Sequence, residues 1–264
     1  MVGCPDGICQ EETTAATTTT VQSTTTSIAI EETFLFILAE NIYSGAPKLN
    51  YVISALGDFS EVREIATPDS ELSYMGFLER SGFAVMNGQL YLFGGPSNDK
   101  MIAKLEDCRI EIIPQQLRFG FTSAYGSVLV LGDSALICFG QYESSSCESF
   151  DGSSSSIASA SQFSHYYGCL ANLNGYAVAV NGYVSKNVRK VEILRSFGWS
   201  ELAEHPREIY KQSCVGVENG LLTLGGYEDS VGYYLKEVFL LRDDVWSAAG
   251  MLKEVNICEL FKFS

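Results

Sequence analysis

Histidine is almost missing from these 264 residues: only His165 and His205 are present. Any site that needs three imidazoles is therefore excluded. No Cys-x-x-Cys pair occurs, and the Cys4/Cys9 and Cys138/Cys147 spacings are wider than those of zinc knuckles. A Gly-x-Ser-x-Gly elbow, a phosphate-binding glycine loop and an acidic calcium loop are also absent. The chain thus reads as a non-enzyme with no cofactor and no metal. Positive charge is scarce as well, with 17 Lys and Arg against 32 Asp and Glu and a net charge of −15. Such a surface repels phosphate backbones and anionic lipid, and no basic stripe overrides it, so nucleic acid is excluded as a partner. No apolar run approaches the ~20 residues of a membrane-spanning helix. The first ten residues show neither a basic n-region nor an apolar h-region, so the sequence as given carries no secretory signal and can be a fragment.

Glycine is plentiful by contrast, 24 residues against 6 Pro, and 14 Tyr and 15 Phe are ample for a core. Four pairs, Asn87-Gly88, Gly132-Asp133, Asn174-Gly175 and Asn219-Gly220, each sit between two apolar runs. Such pairs supply the positive φ of a tight hairpin. Their glycines are 44, 43 and 45 residues apart, a period that predicts propeller blades of about four strands. Second strands follow at Leu90 to Phe93, Ala135 to Phe139, Ala177 to Val180 and Leu221 to Leu224. Third strands are expected at Lys104 to Cys108, Cys147 to Phe150, Lys190 to Leu194 and Lys236 to Leu240, and in the last two units a fourth strand carries Trp199 or Trp246.

At these residues the chain resembles the kelch repeat, whose pattern is an apolar strand, a diglycine, an aromatic residue and a later tryptophan. The unit with Gly225-Gly226, Tyr233 or Tyr234 and Trp246 fits best. Gly94-Gly95 lacks a following Tyr or Trp, and Gly140-Gln141 has lost the second glycine. The resemblance implies an all-β, kelch-type β-propeller of about five blades, or a six-bladed ring cut short, over residues 31–264. Copper oxidases built on such propellers need more histidines than this chain has.

Six residues before each turn glycine stand Gly82, Gly126, Cys169 and Cys214, all small, as an innermost strand requires where backbones crowd. Continuing by 44 reaches Cys258, so residues 254 to 263 read as one more innermost strand. Thr33 to Ala39, Leu49 to Ser54 and Ser60 to Ile65 read as a first blade that lacks its inner strand, or, with Ser44-Gly45 as a first hairpin turn in phase with the others, as a blade in another register. The two ends would then close the ring together; the alternative is truncation.

Residues 1–12 form a short Cys-containing segment, and 13–30 a Thr-rich linker with nine threonines and two serines, expected to be disordered. That tract reads as an O-glycosylated stalk or a plain linker. Cys138 and Cys147 lie across one hairpin, close enough for a disulfide or for two buried thiols. Cys169, Cys214 and Cys258 read as thiols at small inner positions, and Cys108 has no evident partner. His165-Tyr166-Tyr167 reads as aromatic packing, with a site role as the alternative, Glu204 to Arg207 as a solvated turn, and Asp243-Asp244 as turn residues, with weak ion binding as the alternative.

These features converge on a non-enzymatic binding module of a secreted or cell-surface protein, meeting a protein or glycan through propeller-face loops. The expected contacts are the long second-to-third-strand loops with Asn98, Asp99, Tyr142, Glu143, Tyr227, Glu228 and Asp229. The alternatives are an intracellular kelch adaptor, which would need a helical BTB-like or BACK-like region that this sequence lacks, and a sugar-active propeller enzyme.

Overall fold

The computed structural model describes the backbone of residues 34–38, 50–54 and 62–64, and residues 81–253 except 96–97, 108, 123–125, 141–143 and 184–188. Expectations that fall on the N-terminal Cys segment, the Thr tract, Cys108, Cys258 and the closing strand at 254 to 263 lie outside the described residues. The described residues are all-β. No helix among them is long and apolar enough to cross a membrane.

The first sheet has three antiparallel strands in the order β1 (Phe34–Leu38), β2 (Asn50–Ser54) and β3 (Val62–Glu64). Four four-stranded antiparallel sheets follow, which we number blades 1 to 4. Blade 1 is β4 (Gly82–Met86), β5 (Gln89–Phe93), β6 (Met101–Glu106) and β7 (Arg109–Gln116). Blade 2 is β8 (Ser127–Leu131), β9 (Ser134–Cys138), β10 (Cys147–Phe150) and β11 (Ser155–Ala158). Blade 3 is β12 (Cys169–Leu173), β13 (Tyr176–Val180), β14 (Val191–Arg195) and β15 (Gly198–Glu201). Blade 4 is β16 (Ser213–Val217), β17 (Gly220–Leu224), β20 (Glu237–Arg242) and β21 (Val245–Met251), and a small ribbon, β18 (Tyr227–Glu228) with β19 (Tyr233–Tyr234), projects from it.

Turn chemistry sets the first hairpin of each blade. Asn87 and Gly88, and Asn174 and Gly175, all have positive φ, as a type I′ turn demands, whereas Gly132 is positive at the first position of its turn. The fourth turn differs from the sequence expectation by one residue. Val217 pairs with Gly220, so the loop is Glu218-Asn219 and Gly220 opens β17. Glycine is needed there for space, because a Cβ would lie 2.9 Å from both the Leu241 carbonyl oxygen and Leu240 Cδ1.

The first strands lie side by side in chain order, β4 by β8, β8 by β12 and β12 by β16. Blades 2 and 3 each bury both faces against their neighbours, so their residues alternate between two cores. On β9, Ala135 and Ile137 join Phe93, Ile102 and Phe150 between blades 1 and 2, while Leu136 and Cys138 join Leu170, Ala179 and Trp199 between blades 2 and 3. On β13, Val178 and Val180 turn the other way to meet Cys214, Leu221 and Leu241 of blade 4.

Polar groups tie blades 2, 3 and 4 each to the connection that enters it. The buried Glu148 carboxylate accepts the N–H groups of Arg118 at 2.9 Å and Phe119 at 3.2 Å. Forty-four residues on, buried Glu192 accepts those of Gln162 and Phe163, each at 3.0 Å. Trp199 Nε1 donates to the Ser159 carbonyl at 2.8 Å and Trp246 Nε1 to that of Ala203 at 2.9 Å. These side chains give hydrogen-bond partners to irregular backbone between the blades.

Among the described residues the cysteines form two disulfide-distance pairs. Cys147 sits directly opposite Cys138 in the β9–β10 register, with Cα atoms 4.1 Å apart. Cys169 and Cys214 form the second pair, 5.9 Å apart, which corrects the reading of both as isolated thiols. Neighbouring first strands β12 and β16 run side by side, which brings their opening cysteines within bridging range.

Candidate functional site

The strand ends at which β12 and β16 begin are also those at which β13 and β17 finish. Loops entering the first strand and leaving the second therefore share one end of each blade. On blades 3 and 4 this end carries six tyrosines in continuous contact. Tyr166 and Tyr167 meet edge to face at 4.5 Å between centroids, and Tyr167 lies 6.4 Å from Tyr183 and 5.8 Å from Tyr210. Tyr210 in turn lies 4.7 Å from Tyr183 and 5.5 Å from Tyr227, and Tyr227 meets Tyr234 at 5.1 Å. Tyr183 is 47% exposed and neighbouring Tyr233 58%, so part of this surface is open to a ligand.

The two halves of the cluster repeat each other. Tyr183 donates its N–H to the Tyr166 carbonyl at 2.5 Å, and Tyr227 donates its own to Tyr210 at 2.8 Å. Tyr167 and Lys211, the next residues, both have positive φ, 61° and 55°. The Lys211 N–H donates to the Tyr167 carbonyl at 2.8 Å and joins the halves across the blade boundary.

Buried histidines support both loops. His165 is fully buried, with Nδ1 2.6 Å from the Asn181 carbonyl and Nε2 2.9 Å from Glu192 Oε2. Its own carbonyl accepts the Gly168 N–H, closing the turn that presents Tyr166 and Tyr167. Burial pushes the Glu192 carboxyl up, but the His165 contact and the two backbone N–H groups outweigh it and hold the group below its ordinary range. His205 is also fully buried, which corrects the solvated-turn reading. Its ring packs edge-on against Trp246 and reaches Thr223 Oγ1 at 3.0 Å, filling the space under the connection that leads to Tyr210. Burial lowers its pKa to about 4, with the nearby Arg189 and Arg207 guanidiniums adding to the effect against a hydrogen bond to Arg207.

Charged groups flank the rings. The Lys211 ammonium lies 4.8 Å from the Tyr167 centroid and 5.8 Å from that of Tyr210. The Tyr210 hydroxyl donates to Asp229 Oδ1 at 2.9 Å. Burial and that carboxylate keep the phenol well above its ordinary pKa, so it stays protonated. Chemically the surface can stack on apolar or cationic groups and donate phenolic hydrogen bonds.

Of the residues expected from sequence, Tyr227 and Asp229 fall in this cluster. Glu228 is nearly buried and pairs with Arg207 at 2.7 Å, a structural role. Asn98 and Asp99 lie in a blade 1 loop, where their backbone carbonyls accept the N–H groups of Met101 and Phe121; no described contact joins them to the tyrosines. Tyr142 and Glu143 lie outside the described residues. The sequence reading missed Tyr183, Tyr210 and Lys211, and set aromatic packing ahead of a site role for Tyr166 and Tyr167. The available signal was spacing: Tyr166 and Tyr210, like Tyr183 and Tyr227, are 44 residues apart. Among the described residues no group of three His, Cys, Asp or Glu side chains could hold a metal ion.

No family model matches the sequence, and no curated protein matches it. Among solved structures, one titled "Structure of YjhT" has a TM-score of 0.62 and 15% identity, covering 78% of this chain and 78% of that one. At that identity the likeness establishes the propeller-like fold alone.

Proposed function

We propose that this chain is a kelch-type propeller acting as a non-enzymatic binding module of a secreted or cell-surface protein, and that its partner, a protein or a glycan, docks on the tyrosine-bearing face. The observation that carries this reading is the run of six tyrosines across two adjacent blades. Aromatic surface held on loops by buried hydrogen bonds costs little ordering on binding. Two disulfide-distance cysteine pairs favour an oxidising compartment.

The test is a protein and glycan array probed with the folded chain and with Tyr183→Ser and Tyr227→Ser variants whose melting is checked. A partner retained by the parent and lost by both variants supports the reading. Partners bound equally by all three move the site elsewhere on the propeller.

A further inference from the structure

The rings of Tyr167, Tyr183 and Tyr210 approach one another pairwise, at 6.4, 5.8 and 4.7 Å between centroids. A cation already sits on them, because the Lys211 ammonium is within ~6 Å of two of the three, the range in which a ring quadrupole attracts positive charge. We propose that this cluster is a receptor for a cationic side chain of a partner protein, an arginine above all, and that Lys211 occupies its place in the free protein. The proposal rests on the binding-face reading and narrows it to a basic peptide segment.

Three observations favour a cation over a neutral sugar. First, the Lys211 side chain is exposed, and an exposed ammonium is held only weakly by aromatic rings, so an incoming group can displace it. A guanidinium is planar, stacks on rings and is less strongly hydrated than an ammonium, which gives arginine the advantage over the resident lysine. Second, Asp229 Oδ1 accepts a hydrogen bond from the Tyr210 hydroxyl at 2.9 Å and brings a carboxylate to the edge of the rings. Third, the net charge of −15 draws basic partners toward the molecule and repels acidic ones. The backbone beneath is fixed, with Lys211 at positive φ and its N–H bonded to Tyr167, so exchange needs only side-chain rotation.

The experiment titrates the disulfide-intact chain with a hexapeptide bearing two central arginines and with its twin bearing citrulline, which keeps the shape and removes the charge. Calorimetry reads affinity, and thermal melting confirms that each variant folds. The arginine peptide should bind at least about fivefold tighter than the citrulline peptide. Tyr167→Leu and Tyr210→Leu should each weaken it about threefold or more, whereas Tyr210→Phe, which keeps the ring, should retain binding. Lys211→Gln should tighten it by removing the resident cation. Equal binding of the two peptides overturns the proposal. So does an arginine preference that survives both leucine variants, since that is diffuse attraction to an acidic surface. Should either leucine variant fail to fold, the other leucine variant and Tyr183→Ser decide, since each removes a ring without changing charge. If a glycan or the citrulline peptide binds and loses affinity in the Tyr183→Ser variant, the cationic proposal falls while the binding face stands. If no ligand depends on these tyrosines, both fall.

Discussion

Glu192 Oε2 and His165 Nε2 lie 2.9 Å apart with both side chains wholly buried, and this contact anchors the turn that carries Tyr166 and Tyr167. The Glu192 carboxyl is held below its ordinary range, so it contributes stability above the unfolded carboxyl pKa and loses it as pH falls through the lower folded value. Glu192→Gln keeps the volume but weakens the acceptor of two backbone N–H groups and one imidazole. We expect a loss of roughly 2 to 4 kcal/mol at neutral pH, shrinking in acid, as read by denaturant melts between pH 7 and pH 3. A variant as stable as the parent at neutral pH would refute the anchoring role.

His205 gives a second, separate acid sensitivity. Its folded pKa of about 4 lies below the ordinary 6.5, so between those values the unfolded chain binds the extra proton. Stability should therefore fall as pH drops from 6.5 toward 4, by at most about 1.4 kcal/mol per pH unit. His205→Gln should flatten the melting temperature in that window, whereas Glu192→Gln should leave it in place.

Much of the fold was legible because its signals are local. Asn87-Gly88 and Asn174-Gly175 fix their hairpins by backbone chemistry alone, and the short loop from Phe139 to Ser146 brings Cys147 opposite Cys138. Gly220 misled by one residue because its glycine serves packing against Leu240 and Leu241 rather than the turn. The Cys169–Cys214 pair was not legible, since it depends on how closely two blades approach. The tyrosine cluster failed for the same reason, as it gathers residues from four separate segments, each of which alone resembles ordinary loop sequence.

The two disulfide-distance pairs should differ in worth. They join residues 9 and 45 positions apart in sequence, and loop-closure entropy assigns about 3 and about 4 kcal/mol respectively. Non-reducing peptide mapping should recover both cross-linked peptides, and Cys169→Ala with Cys214→Ala should lower the melting temperature more than Cys138→Ala with Cys147→Ala. Alkylation of all four thiols in protein made in an oxidising compartment would contradict this.

Close approach of β16 to β12 gives the last prediction. Gly216 lies in the middle of β16, and a Cβ there would collide with the backbone carbonyl of Asn172 on the neighbouring first strand. The obstacle is main chain, which cannot rotate aside as a side chain would. Asn172 is further held in place because its own side chain accepts the Gly175 N–H at 2.8 Å. Gly216→Ala must therefore push blades 3 and 4 apart along their inner strands, where Cys169 and Cys214 also meet. Overpacking of this kind costs about 1 to 3 kcal/mol. The expected result is a lower melting temperature together with weaker binding at the tyrosine face, since Lys211 and Tyr167 span the same blade boundary. Unchanged stability in Gly216→Ala would show that the two strands are less tightly apposed than the structure has them.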